Sequence, residues 1–416
     1  MGVREDAAAI AGELAELRHA IHREPEIGLE LPLTQAKVLD YLDGLPLEVS
    51  TGRKLSSVTA VLRGGAGADR SSGPGASAQA GRGAGARRSV LLRGDMDALP
   101  ITEATGLPYA SRFEGVMHAC GHDLHTAMLA GAARLLSTRQ AELPGDVIFM
   151  FQPGEEGYRG ADVMIGEGVL DAAGPRPVAA YALHVSSTQY PCGLFATRPG
   201  PMLAAADIIR VTVRGRGGHA SQPHLAADPI TAACAMVTAL QTMVTRRFDV
   251  FDPVVVTISS FHAGTTDNVI PDEAAFLGTA RSYSAAARDR LRENIIKIIN
   301  DLADAHGVEA DAHYVDEYPV TVNDAAEAEF ARAVVADVFG APRAILKPFP
   351  MTGAEDFSYV LQQVPGAFLS VGAVPLERDP ATAPSNHSAA AVFDDAVLAD
   401  GAACYAELAL RRLGIA

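Results

Sequence analysis

The sequence predicts an α/β protein: a mostly parallel sheet with helices on both faces, plus an inserted ferredoxin-like α+β domain. Three observations predict it. Short apolar runs alternate with helix-period patterns along roughly the first half of the chain. The order then changes to β-α-β-β-α-β over about 206–317. Helical patterns resume near 324–339, 355–363 and 395–412. The implied domains are 1–205 and 318–416 as two parts of one domain, with 206–317 between them.

Each element has a local reason. A helix is expected over 7–22, with Ile10, Leu14, Leu17 and Ile21 on one stripe. SSVTAVLR (56–63) and SVLLRGDMD (89–97) read as strands, the second ending in acidic residues. Between them, 64–88 has almost no large apolar residue and cannot offset its ordering entropy. A flexible surface loop is expected there, joining the two strands as an elongated hairpin. HTAMLAGAARLL (125–136) is a helix, GDVIFMFQP (145–153) a buried strand stopped by proline, and VAAYALHV (178–185) another strand. In the insert, 206–215 alternates as a half-exposed strand should. Asp228-Pro229 supplies a cap and a first-turn proline for a long helix. Strands at 254–264 and 273–283, a charged helix at 285–306 and a strand at 308–316 follow.

Charge and composition exclude several classes. A net charge of −16 argues against nucleic acid or an anionic membrane as the main partner. The N-terminal residues carry charges throughout and read as no signal peptide, and no apolar run is long enough to span a bilayer. The four cysteines show no disulfide spacing, so a reduced, cytoplasmic setting is expected. Cys192, Cys234 and Cys404 are expected to fill core positions.

The chemistry-bearing residues fall in separate stretches. Cys120-Gly121-His122-Asp123-Leu124-His125 opens a helix, where a cysteine's pKa is lowered and the thiolate favoured. Thiolate and imidazole two residues apart suit a divalent metal; a capped helix beside a satisfied histidine is the alternative. Glu155-Glu156 follows a buried strand, where α/β sites form. One carboxylate is free to bind metal while the other reaches a bound water; alternatively the pair is a solvated acidic turn. Asp95 and Asp97 end a strand on one face. They can orient a histidine, touch metal, or simply form a turn before Pro100. His184 ends a strand and His387 lies in a loop; a histidine alone in either place is more often structural than ligating. Together these residues would converge on one crevice.

The chain resembles the two-metal amidohydrolase and exopeptidase superfamily of aminoacylase and carboxypeptidase G. Within it, the branch of hippurate hydrolase, N-acyl-amino-acid amidohydrolases and auxin-conjugate hydrolases is the most similar. The resemblance rests on LRHAIHREPEIGLEL (17–31), LLRGDMDALPI (91–101), MHACGHDLHTAML (117–129), FQPGEEGYRGADVMI (151–165), ALHV (182–185), GRGGHASQPHLAADPI (215–230), NVIPDEAAFLGTARSY (268–283), TGAEDFSYV (352–360) and NHSAAAVFDD (386–395). These stretches span nearly the whole chain in order.

The resemblance implies a role for each matching residue. Cys120 would be a shared metal ligand, completed by His122, Glu156, His184 and His387. Glu155 would be the general base, and Asp97 would orient the site. Asp95 stands where many relatives have a histidine ligand. His219, on the insert, would reach an active site across a homodimer, with His224 a companion; Asn268, Arg281 and Gly353 would line the substrate. The first domain would be catalytic and the insert a lid and dimerisation domain. Two divalent ions per subunit follow, zinc or manganese first, cobalt or nickel as alternatives. The implied reaction is hydrolysis of the amide bond of a small N-acyl amino acid. A dipeptidase or carboxypeptidase on the same scaffold is the second reading, and a catalytically silent binding protein the third. Thr352-Gly353-Ala354 and 265–268 depart from the family pattern and bear on acyl preference.

Overall fold

The computed structural model describes residues 2–66 and 87–415, so most of the expected 64–88 loop lies outside the described residues. The chain divides into two compact units. The first comprises Met1–Gly200, Val322–Pro348 and Tyr359–Ala416; the second comprises Pro201–Thr321 and Phe349–Ser358.

In the first unit the strands are β1 (Leu47–Thr51), β2 (Val58–Leu62), β3 (Ser89–Asp95), β4 (Asp146–Gln152), β5 (Ala179–Pro191) and β6 (Phe195–Thr197). The short β7 (Gly200–Leu203) lies where the chain enters the second unit. That unit holds β8 (Ala205–Arg214), β9 (Gly218–His219), β10 (Val254–Ala263), β11 (Val269–Ile270), β12 (Glu273–Ser282) and β13 (Glu309–Tyr318). β14 (Thr321–Asn323) lies at the return, followed by β15 (Ala344–Leu346) and β16 (Gly366–Val374). The helices are α1 (Val3–Ala9), α2 (Ala11–Arg23), α3 (Pro32–Leu42), α4 (His122–Ser137), α5 (Gly160–Gly166), α6 (Pro229–Arg247), α7 (Ala285–His306), α8 (Ala325–Phe339), α9 (Ser358–Leu361) and α10 (Val397–Leu413).

The first unit is built on an eight-stranded sheet in the order β1-β2-β4-β3-β5-β16-β6-β15. Its four central strands, β4, β3, β5 and β16, run parallel, and both flanks turn antiparallel. β3 and β4 are buried along their whole length, as their apolar centres VLL and VIFMF require. Helices α4 and α10 pack on β3 and on each other, and α2 packs on α4. On α4, Leu124, Met128 and Leu129 are fully buried, each contributing about 1.5–3 kcal/mol of transfer free energy.

The second unit carries a four-stranded antiparallel sheet, β10-β12-β8-β13, with α6 and α7 packed on it. That strand order is the ferredoxin-like one. Asp228 caps α6, its Oδ1 accepting the N–H of Ile230 at 2.9 Å, and Ser284 caps α7. Among the described residues no helix is long and apolar enough to cross a membrane.

Several local expectations need correction. The helix expected over 7–22 is two helices that break at Ile10. The stripe of Leu14, Leu17 and Ile21 is nonetheless buried as one face. β2 and β3 do not form a hairpin, because β4 enters between them and pairs with both. An apolar strand buried on both sides accepts a neighbour from anywhere in the chain, and local pattern does not reveal which. The helix expected over 355–363 shrinks to Ser358–Leu361. β5 runs on to Pro191, so His184 sits within the strand rather than at its end. Cys404 is buried and Cys192 half-buried against the core, but Cys234 is exposed on α6. Small apolar-looking residues on an alanine-rich helix give little sign of which face they occupy.

Candidate metal centre

The site is built where β3 and β5 separate. Their pairing covers Val90–Arg93 against Ala179–Ala182 and then stops. Beyond that point Tyr405 of α10 takes over the ladder: its hydroxyl accepts the N–H of Leu183 at 2.8 Å and donates to the carbonyl of Arg93 at 2.5 Å. The start of α4 fills the gap. Thr126 donates to the carbonyl of Asp95 at 2.8 Å, and the N–H of Val185 donates to His125 Nε2 at 2.7 Å. A Cβ on Gly94 would lie 2.8 Å from the carbonyl oxygen of His125, so this close approach requires glycine. The result is a crevice at the carboxyl ends of diverging parallel strands.

Gly121 turns the chain between Cys120 and His122 with φ of 86°. Any side chain there would meet Val185 Cγ2 at 2.4 Å. The turn leaves Cys120 and His122 both facing the crevice. Cys120 Sγ lies 3.4 Å from His184 Nε2 and 3.3 Å from His387 Nε2. His387 Nε2 lies 3.1 Å from Glu156 Oε1. Two trios therefore share the cysteine: Cys120, His122 and His184, and Cys120, Glu156 and His387. In each, the donor atoms lie within 4.8 Å of one another.

The residues fit a pair of divalent cations. His122 is fully buried, yet neither ring nitrogen has a hydrogen-bond partner among the described residues. Buried polar atoms left unpaired are costly, and a cation would satisfy them. His184 donates from Nδ1 to the carbonyl of Val185 at 2.8 Å, which leaves the Nε2 lone pair facing Cys120. Desolvation and the nearby His125 hold its pKa well below the ordinary imidazole value, the neutral state a ligand needs. His387 is pushed the other way, to about 10, by its hydrogen bonds to Cys120 and Glu156. Burial lowers the pKa of His122, but Asp95 and Cys120 outweigh it and leave that pKa well above normal. At His122 and His387 a proton and a metal ion would thus compete for the same lone pairs.

Asp97 supports these candidate donors. Its Oδ1 accepts the backbone N–H of Glu155 and its Oδ2 that of Glu156, each at 3.0 Å, and Oδ1 is 3.4 Å from His122 Nδ1. Asp95 faces the other ring nitrogen, with Oδ2 3.6 Å from His122 Nε2. Asp95 is already paired with Arg93 at 2.6 Å and His125 at 2.5 Å. Because His125 Nε2 accepts the N–H of Val185, Nδ1 carries the proton toward Asp95, and neither nitrogen is open to a metal. A further trio, Asp95, His122 and His125, is fully buried and already has the guanidinium of Arg93 against Asp95 as its cation. The sequence reading assigned no role to Arg93 or His125. A lone arginine inside the run VLLRGD was the available signal, since a buried charge demands a partner.

Asp123 does not cap α4. It receives Arg18 Nε at 2.6 Å and His22 Nδ1 at 2.8 Å, in a buried network reached from α2.

The remaining predicted residues belong to the second unit. His219 is exposed on β9, opposite Val269 of β11, and the N–H of Ala220 donates to the carbonyl of Asn268 at 3.1 Å. His219 Nδ1 accepts the N–H of Ser221 at 3.1 Å, so its proton resides on Nε2. Arg281 is half-buried on β12, and Gly353 is exposed, its carbonyl accepting the N–H of Ala204 at 3.0 Å.

A crevice at the ends of parallel strands, with sulfur, imidazole and carboxylate donors in two overlapping trios, defines a metallohydrolase-type centre. Residues 91–411 match Peptidase family M20/M25/M40, and the chain belongs to that family. It is 34% identical over 412 residues to thermostable carboxypeptidase 2 of Saccharolobus solfataricus, covering 98% of each chain. It is 34% identical to IAA-amino acid hydrolase ILR1-like 4 of Arabidopsis thaliana, over 95% of this chain and 85% of the relative. It is also 34% identical to N-acetyl-L-cysteine deacetylase of Bacillus subtilis, over 86% and 80%. A solved dinuclear metal-binding peptidase of family M20 from Bacillus subtilis superposes with a TM-score of 0.79 at 29% identity, covering 98% of this chain and 100% of that one.

Proposed function

We propose that this protein hydrolyses the amide bond between an acyl group and the nitrogen of an amino acid, releasing a carboxylate and the free amino acid. The observation that carries the reading is Cys120 Sγ within 3.4 Å of His184 Nε2 and 3.3 Å of His387 Nε2, a single thiol common to two ligand trios. Zinc or manganese suits this mixed donor set best. A pair of such ions would act as Lewis acids on the scissile carbonyl and make water acidic enough to serve as nucleophile near neutral pH.

The chain's own residues do the rest. Cys120, His122, Glu156, His184 and His387 hold the cations. Asp97 fixes the turn that carries Glu155 and Glu156 by accepting both of their backbone N–H groups. Glu155 takes a proton from the attacking water and delivers it to the departing nitrogen, which must leave as an amine. His219, with its proton on Nε2, is suited to donate a hydrogen bond to the developing oxyanion. We assign it to the site of a second copy, the inserted unit serving as lid and dimer contact. Asn268, Arg281 and Gly353 are assigned to substrate contact, Arg281 to the amino-acid carboxylate.

The acyl preference rests on relatives named for N-acetyl-L-cysteine and IAA-amino acid. A second reading, peptide cleavage, is favoured by the equally similar carboxypeptidase. A free α-amine would need an acidic recognition group, which the sequence does not single out. Parallel assays of hippurate, N-acetyl-methionine and an unblocked dipeptide separate the two. Turnover confined to the dipeptide would overturn the acyl-amino-acid assignment.

A further inference from the structure

The five proposed ligands come from distant stretches, and something must hold those stretches in register before any cation arrives. One side chain ties its own stretch to two of the others. Asn386 donates from Nδ2 to the carbonyl of Cys120 at 3.1 Å and to the carbonyl of Val185 at 3.0 Å. Its Oδ1 accepts the N–H of Ser187 at 2.9 Å and the hydroxyl of Ser187 at 3.1 Å. It immediately precedes His387, whose own N–H donates to the carbonyl of Ala119 at 2.9 Å.

The carbonyl of Val185 is the key shared group. It accepts both Asn386 Nδ2 and His184 Nδ1, the latter at 2.8 Å. The amide of Asn386 thus orients the oxygen that fixes the tautomer of His184. It also ties down the peptide of Cys120 and anchors a loop in which His387 holds a left-handed φ of 69°. A non-glycine residue at such a φ persists only where neighbouring contacts over-determine it. Asparagine suits the post because both of its N–H donors meet carbonyls while its oxygen meets donors. Aspartate would set a negative oxygen against two carbonyl oxygens.

We propose that Asn386 is the positioning residue of the metal centre, aligning Cys120, His184 and His387 so that both cation sites are formed together. This rests on the reading of the two trios as cation sites. The site shared with His387 and Glu156 depends on it most, since His387 is exposed and lies on the loop that Asn386 anchors.

The test is titration of chelator-treated full-length protein with cobalt(II) alone, followed by thiolate-to-cobalt charge-transfer absorption. Asn386→Asp is compared with Asn323→Asp. Asn323 is a matched control in the same unit: its Nδ2 donates to the carbonyls of Arg198 and Phe368, at 2.9 Å and 3.1 Å, and its amide bonds none of the five proposed ligands. Wild-type protein is expected to take up two equivalents. Asn386→Asp should weaken the second equivalent by about 10–100-fold, the range for partners that orient ligands, and alter the absorption band. Asn386→Ser, which keeps one donor, should shift the same way by less. Asn323→Asp should lower thermal stability while titrating like wild type. The inference is overturned if Asn386→Asp and Asn386→Ser both bind two equivalents with unchanged affinity and band, or if Asn323→Asp weakens binding as much. Wild-type protein that fails to take up two equivalents would instead defeat the metal-centre reading on which it stands.

Discussion

Cys120 Sγ and His387 Nε2 lie 3.3 Å apart, although 267 positions separate them in the chain. The contact closes the crevice from opposite ends of the first unit's sequence and makes the thiol common to both ligand trios. Cys120→Ala should therefore remove a donor from both cations at once. Elemental analysis is expected to find metal content below that of any single histidine variant, with kcat/KM reduced by more than about 100-fold, beyond the effect of losing an orienting partner. Full metal content in Cys120→Ala would show that the thiol is not a shared ligand.

Glu155→Gln separates binding from chemistry. The variant keeps the shape of the turn held by Asp97 but cannot accept a proton. Metal content should match wild type, while kcat falls by about 100- to 10,000-fold, the usual worth of a positioned base. A rate within a few-fold of wild type at full metal loading would remove Glu155 from the base role.

Asp97→Asn tests the support behind the ligands. Both carboxylate oxygens accept backbone N–H groups, so the NH2 of an asparagine must face one of those donors. Metal affinity measured by competition with a chromophoric chelator should drop by about 10–100-fold. Unaltered affinity would mean that the turn holds its shape without the carboxylate.

Glu103 predicts a pH dependence of stability. It receives the N–H of Ser111 at 2.7 Å and faces His22 Nε2 at 3.4 Å. Burial pushes its pKa up, but His22, Thr105 and the Ser111 N–H together hold it at about 2. A depressed folded-state pKa gives stability that is present above the unfolded value and lost as pH falls through the folded one. Glu103→Gln should thus cost about 2 kcal/mol near neutral pH, the scale of a hydrogen bond to a charged group. The difference from wild type should shrink between about pH 4 and pH 2. Urea midpoints across that range provide the check; a constant difference would refute the assignment.

The dimer role of His219 is open to complementation. Glu155→Gln and His219→Ala are each expected to be nearly inactive alone. If His219 serves the partner's site, mixing the two through reversible subunit exchange should restore activity, because one hybrid site then has both residues intact. An inactive mixture with proven exchange would place His219 on its own subunit's site.

Local signals made much of this legible. The buried strands β3 and β4 stood out by their apolar centres, α6 by its cap at Asp228 and α7 by its charged helical pattern. The stretches of the proposed ligands stood out because a cysteine and a histidine open a helix and paired glutamates follow a buried strand. What stayed hidden is non-local. The entry of β4 between β2 and β3 depends on which edges meet, a choice that apolar strands do not encode individually. Asn386 carries no compositional mark, since an asparagine in the loop Pro384-Ser385-Asn386 reads as an ordinary turn residue. Tyr405 bridges Leu183 and Arg93 from a helix far along the chain, and nothing in its own neighbourhood points there.

The central claim is that two cations share the sulfur of Cys120. Anomalous diffraction at the absorption edge of zinc, from crystals grown with that metal, tests it most directly. Two peaks are predicted, each about 2.3 Å from Cys120 Sγ, one completed by His122 and His184 and the other by Glu156 and His387. A single peak, or two peaks of which one lies out of reach of the sulfur, would contradict it.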